Sequence, residues 1–155
     1  MRKTTWALAL MLALGVASAA DKPDFSGFWK INNSKSDFGP MPSGPDKFER
    51  KIEHKDPELK MTTVQSFQGN ERTSDVAYTI DGAQHTVKMG QGEAKVTATW
   101  KGKVLEISAI REIQGNEIKS LEKWTLSEDG KTLTSENNIS TPQGDFAMKW
   151  VLDKQ

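Results

Sequence analysis

Turn signals recur at short, even intervals along this chain, at Asp56-Pro57, Gly69-Asn70, Asp81-Gly82, Gly90-Gln91-Gly92, Lys101-Gly102, Gly115-Asn116, Asp129-Gly130 and Gln143-Gly144. The runs between them are near strand length and rich in Val, Ile, Thr, Phe and Trp, residues that fit a pleated, half-buried surface. Helix-length periodic segments are missing, so the spacing predicts an all-β chain of sandwich or barrel type. The exception is residues 33–45, where Pro40, Pro42, Pro45, Gly39 and Gly44 read as a long loop after a first strand near residues 25–32.

Register is a sharper test than spacing, because a slip of one residue sends every side chain to the other face. Folding about Asp81-Gly82 sets Ile80 against Ala83, Tyr78 against His85 and Val76 against Val87. Folding about Gly115-Asn116 sets Ile113 against Ile118, Ile107 against Trp124 and Leu105 against Leu126. About Lys101-Gly102, Val96 meets Ile107, and about Asp129-Gly130, Leu126 meets Leu133. The same operation elsewhere joins Met61 to Tyr78, His54 to Leu59 and Ile139 to Met148. One face therefore stays apolar from strand to strand, while the other carries residues such as Glu49, Lys51, Glu53, Lys60, Lys95, Lys119 and Lys123. A meander with one buried face and no helices to cover it must curl on itself or stack as two sheets. Short hairpins throughout favour an antiparallel up-and-down meander of about eight to ten strands, closed as a barrel.

The N-terminus predicts export. Arg2 and Lys3 precede an apolar run over residues 6–16, and Ala17-Ser18-Ala19 offers the small residues that a signal peptidase requires. The expected organisation is a signal peptide over residues 1–19 and a single β-barrel domain over residues 20–155, in a periplasmic or secreted protein without stable membrane insertion. The chain has no cysteine, so stability must come from a packed core and not from disulfides. Removing Arg2 and Lys3 leaves 19 basic against 21 acidic residues. That balance argues against a nucleic-acid footprint, which needs clustered positive charge.

Phe25-Ser26-Gly27-Phe28-Trp29-Lys30, near the start of the expected mature chain, is similar to the Gly-x-Trp opening of lipocalins and of the related fatty-acid-binding proteins. The wider stretch from Pro23-Asp24-Phe25-Ser26-Gly27 to Lys35-Ser36-Asp37-Phe38-Gly39-Pro40 resembles small secreted bacterial proteins of lipocalin-like, calycin type. The resemblance implies a barrel in which the tryptophan plugs one end, and it implies no activity. Two features depart from the pattern. The arginine expected near the end of the last strand has only Lys149 nearby, and the loop after the first strand does not look like a two-helix lid.

Chemistry would lie on the inner face. Phe48, Ile52, Met61, Val76, Val87, Val96, Trp100, Ile107, Trp124, Met148 and Trp150 either line a cavity or fill one, and among them sit Arg50, His54, Gln65, Tyr78, His85, Arg111, Glu122 and Asn137. Inward charges are costly unless paired or hydrated, so they point to mutual pairing, Arg111 with Glu122 first, or to water or a ligand inside. The candidate ligand-binding set is Arg50, Tyr78, His85, Trp100, Arg111, Glu122, Trp124 and Trp150. Nucleophilic catalysis needs a nucleophile, a base and an orienting group in one site. His54 and His85 are the only imidazoles, neither lies in a catalytic motif, and their separation argues against a zinc site. The chain thus reads as a non-enzymatic, cofactor-free monomer. Two classes remain: an exported carrier of a small hydrophobic or amphipathic molecule, or an interaction module whose barrel is packed solid. An unfilled inner volume of several hundred Å³ distinguishes the first from the second.

Overall fold

Each run delimited by the turn signals is a strand. A computed structural model describes residues 21–155, so the expected signal peptide lies outside the described residues. The elements are β1 (Gly27–Ile31), a 3-10 turn (Asn33–Lys35), β2 (Lys47–Lys55), β3 (Glu58–Phe67), β4 (Asn70–Thr79), β5 (Gln84–Met89), β6 (Gly92–Lys101), β7 (Val104–Ile113), β8 (Asn116–Leu126), β9 (Thr132–Thr141) and β10 (Gly144–Lys154). All pairings are antiparallel, in the order β4-β3-β2-β1-β10-β9-β8-β7-β6-β5. The short β1 pairs on one side with β2 and on the other with β10, which curls the meander into a nearly closed barrel.

Two hairpins keep the expected register, with His54 facing Leu59 and Leu126 facing Leu133. Others are shifted by two residues: Leu59 faces Tyr78, Val96 faces Ala109, Leu105 faces Trp124 and Ile139 faces Phe146. A shift of two keeps every side chain on its face, so the core is unaffected. The turn chemistry explains two of these shifts. Gln68 and Gly69 (φ 50° and 77°) and Gln114 and Gly115 (φ 52° and 75°) are the central pairs, with positive φ at both positions. That is the type I′ pattern, which matches the strand twist and favours glycine second. Centring the turns on Gly69-Asn70 and Gly115-Asn116 puts glycine first.

The expected pairing about Asp81-Gly82 does not form, because β4 and β5 are the two edges of the sheet. The Ile80 N–H donates to Pro57 O at 2.7 Å, and the Gly82 N–H donates to Ala98 O at 3.0 Å. The residues flanking the turn are thereby bound to the β3 and β6 sides, which holds the two strands apart. A recess of about 530 Å³ lies there, lined by Met61, Val76 and Val87 and by outward groups including Lys51, Glu53 and Lys60.

The up-and-down path gathers alternate connections at each end. At one end lie the residue 56–57 and 102–103 turns and the close of β10. Here Phe25 and Trp29 are fully buried, and the Trp29 indole N–H donates to Phe25 O at 3.0 Å. The ring of Phe25 stacks on Trp100 at 5.9 Å and meets Trp124 edge-on at 5.4 Å. The cation over the opening tryptophan is Lys154 and not Lys149: Trp29 and Lys154 are cross-strand partners, and Lys154 Nζ sits 5.3 Å from the Trp29 ring centroid. Gly27 makes room for it. A Cβ there would lie 2.6 Å from Lys154 Cε, on a backbone with φ of 145°. At the other end, residues 36–46 run along β10 and back to β2, with Asp37 bridged to Lys149 and Phe38 edge-on to Trp150 at 5.4 Å.

Candidate functional site

The alternation of each strand sends Arg50 of β2, Glu122 and Trp124 of β8, and Ser135 and Asn137 of β9 into the barrel interior. Glu122 and Asn137 are direct cross-strand partners, as are Trp124 and Ser135. Glu122 collects its donors on one oxygen: Oε1 accepts from the Trp124 indole N–H and from the Ser135 hydroxyl at 2.6 Å. Arg50 reaches the same oxygen from the opposite wall, its Nη1 4.0 Å away. The guanidinium is fixed by donation from Nε to Thr63 Oγ1 at 3.0 Å and by the faces of Phe48 and Trp124, 5.0 and 5.4 Å from its centre. The ion pair therefore crosses the lumen, which offsets the cost of placing either charge inside.

Above this pair is a cavity of about 330 Å³, lined by Phe48, Arg50, Gln65, Arg111, Glu122, Ser135, Asn137, Met148, Trp150 and Leu152. Trp150 forms an aromatic wall with Phe48, at a centroid distance of 4.8 Å. Tyr78 is buried nearby. Desolvation pushes its phenol well above the usual range and the Glu122 carboxylate adds to this, while Arg50 and Arg111 offset part of it. Arg111 sits opposite Ile118, three residues from the residue 114–115 turn, and so near the mouth. Among the described residues it forms no ion pair, and the expected Arg111–Glu122 bridge is replaced by the Arg50–Glu122 pair. Curvature of the sheet brings Arg50 to Glu122, whereas Arg111 and Glu122 stand four residues apart along the β7 rungs.

Of the expected site residues, Arg50, Arg111, Glu122 and Trp150 line the cavity, and Tyr78 and Trp124 lie in the surrounding cluster. Two are placed elsewhere. His85 lies on the edge strand β5, its side chain 42% exposed and its Nε2 2.8 Å from Asp81 Oδ2. The expected contact with Tyr78 is lost with the β4–β5 pairing. Trp100 lies at the opposite end, stacked on Phe25, and donates its indole N–H to Asp56 Oδ1 at 2.8 Å. That bond holds the Asp56 carboxyl below the usual carboxylate range, with help from Lys22 and His54. His54 is buried between Phe25 and Trp100, with Nδ1 accepting from the Phe25 N–H at 3.3 Å. Thr63 and Ser135 hold the charged pair and were not singled out from the sequence. Their signal is the register itself, since they are the rung partners of Arg50 and Trp124.

No family model and no curated protein sequence matches the chain. Solved structures do. Zebrafish ileal bile acid-binding protein, in complex with cholic acid, is 18% identical over 84% of this chain and 98% of its own, with a TM-score of 0.58. Secretory abundant heat soluble protein 4 from Ramazzottius varieornatus is 18% identical over 88% of this chain and 97% of its own, with a TM-score of 0.57. Another secretory abundant heat soluble protein of that organism is 14% identical over 89% of this chain and all of its own, with a TM-score of 0.61. The fold is a calycin-type barrel. At these identities the likeness concerns the fold alone, and the chemistry must be read from this barrel's own lining. That lining offers one cation without an ion pair among the described residues, amide groups and an aromatic wall around an unfilled space, a set suited to holding a molecule with one charged end.

Proposed function

We propose that this chain is an exported, non-catalytic binding protein that acts as a monomer and holds a small amphipathic acid inside the barrel. The acidic group sits at Arg111, and the apolar body lies against Trp150, Phe48 and Met148. The observation that carries this reading is the cavity of about 330 Å³ on the barrel's inner face, open toward solvent and walled in part by the buried Phe48, Ser135 and Leu152. It falls in the range that ligand sites occupy, whereas a barrel packed solid has no such space. The charge count supports the acid: two guanidinium groups share the cavity with one carboxylate, and that carboxylate is already engaged by Arg50. A solved structure with this fold is named for bile acid binding, in keeping with a ligand site in the lumen.

Titration with fluorescent fatty acids and with matched neutral probes tests the reading. Acidic probes are expected to bind in the micromolar range or tighter and to alter tryptophan emission. Arg111→Gln is expected to weaken them by about 1.5–3 kcal/mol, the worth of a charge-assisted hydrogen bond, and to leave neutral probes almost unchanged. Failure of every probe to bind the wild-type protein overturns the reading. A lowered melting temperature with unchanged affinities would make Arg111 a structural residue.

A further inference from the structure

The acceptors deep in the cavity are incompletely used. Glu122 takes the Trp124 and Ser135 bonds and the Arg50 contact all on Oε1, while Oε2, which is not buried, has no partner among the described residues. Its cross-strand partner Asn137 carries a buried Oδ1 that likewise has none. A buried acceptor without a donor is costly, and native structures rarely leave one unmet. The terminal torsion of asparagine is broad, so this amide can turn to meet a donor without leaving its rotamer well. A buried acceptor lacking a donor, at Asn137, at the far side of the cavity from an arginine with no ion pair among the described residues, describes a ligand with two polar ends.

From this we infer that the barrel selects a hydroxy acid, with its carboxylate at Arg111 and its hydroxyl donated to Asn137 Oδ1, beside Glu122. The inference rests on the ligand-binding reading above and narrows its ligand class. A hydroxyl fits better than an ammonium, because the cavity already holds two cations against one carboxylate and a third would be repelled. The spacing also restricts where the hydroxyl stands. Glu122 pairs with Ile107, four residues from Arg111, a separation of roughly 13 Å along the strand at about 3.3 Å per residue. The hydroxyl therefore belongs well down the molecule and not beside the acid.

Competition titration of the wild-type protein with decanoate, α-hydroxydecanoate and ω-hydroxydecanoate provides the test. In an apolar cavity a terminal hydroxyl weakens binding, because it is desolvated without a partner. Here ω-hydroxydecanoate is expected to bind about tenfold tighter than decanoate, and α-hydroxydecanoate to gain nothing. Asn137→Leu, close in size, is expected to erase the advantage of the ω-hydroxyl, read as the ratio of the ω-hydroxydecanoate and decanoate affinities. The wild-type ranking alone decides the matter should that variant fold poorly. If decanoate binds as tightly as ω-hydroxydecanoate or tighter, the hydroxy-acid assignment is wrong and the binding reading stands. If none of the three acids binds, both fall together.

Discussion

Tyr78 is the only tyrosine in the chain, so its titration can be followed without overlap from another phenol. It is 5% exposed, and burial next to Glu122 pushes its phenol upward. A group whose folded pKa is raised binds its proton more tightly when folded. Its stabilisation is therefore complete below the unfolded phenol's value of about 10 and is lost as pH rises from there toward the folded value. The slope expected for one proton is about 1.4 kcal/mol per pH unit. Denaturant melts above pH ~10 should show this loss, and phenolate absorbance should appear together with unfolding and not before it. Tyr78→Phe should flatten that part of the profile. Phenolate appearing in the folded protein near the ordinary value would mean that Tyr78 is solvated. The same residue shows how closely polar groups are matched inside this barrel: Glu122, Arg50 and Arg111 all act on it, yet none lies on a rung beside it.

At the scale of the element, the hairpins show how turn chemistry sets register. Gly69 and Gly115 hold the second central position of tight turns whose first position is a glutamine with positive φ. Nothing lies within 4 Å of a Cβ built on Gly115, so replacing it tests backbone preference without a steric clash. Gly115→Ala is expected to destabilise by about 1–2 kcal/mol, the cost of placing an alanine in the left-handed region. Gln114→Asn should act in the opposite direction, because asparagine tolerates that region better. Guanidinium unfolding should show shifted midpoints at constant slope, as expected for changes in stability alone. A neutral Gly115→Ala would mean that the turn relaxes to another type. The β4–β5 connection behaves differently: Asp81 Oδ1 accepts the Ala83 N–H at 2.9 Å and Asp81 also engages His85, while the Ile80 and Gly82 N–H groups bond outward to Pro57, just before β3, and to Ala98 of β6. A sequence that reads as a hairpin there caps two separate edges.

For the whole molecule, β1 begins at Gly27, so a chain cut after Ala19 retains every strand of the barrel. The expected product of export therefore starts at Ala20 or within two residues of it, as intact mass of the protein recovered from the periplasm or medium would show. Full-length chain held in a membrane fraction would count against export. The all-β class, the strand boundaries to within a turn, and the division into wet and buried faces were legible in the residues alone. Those properties follow from the two-residue side-chain period and from local turn preferences, both of which are written in consecutive residues. The inward placement of Arg50, Arg111, Glu122 and Trp150 followed from the same parity. Parity could not say which inward groups meet. Arg50 and Glu122 belong to strands separated in the sheet by β1, β10 and β9, and they touch because the sheet curls until its walls face each other. Closure also chose Lys154 as the cation over Trp29, opened the wall between β4 and β5, and left His85 and Trp100 away from the cavity. Contacts across a lumen depend on curvature and closure, which are set by the competition of all ten strands for partners, and no single run of residues carries that information.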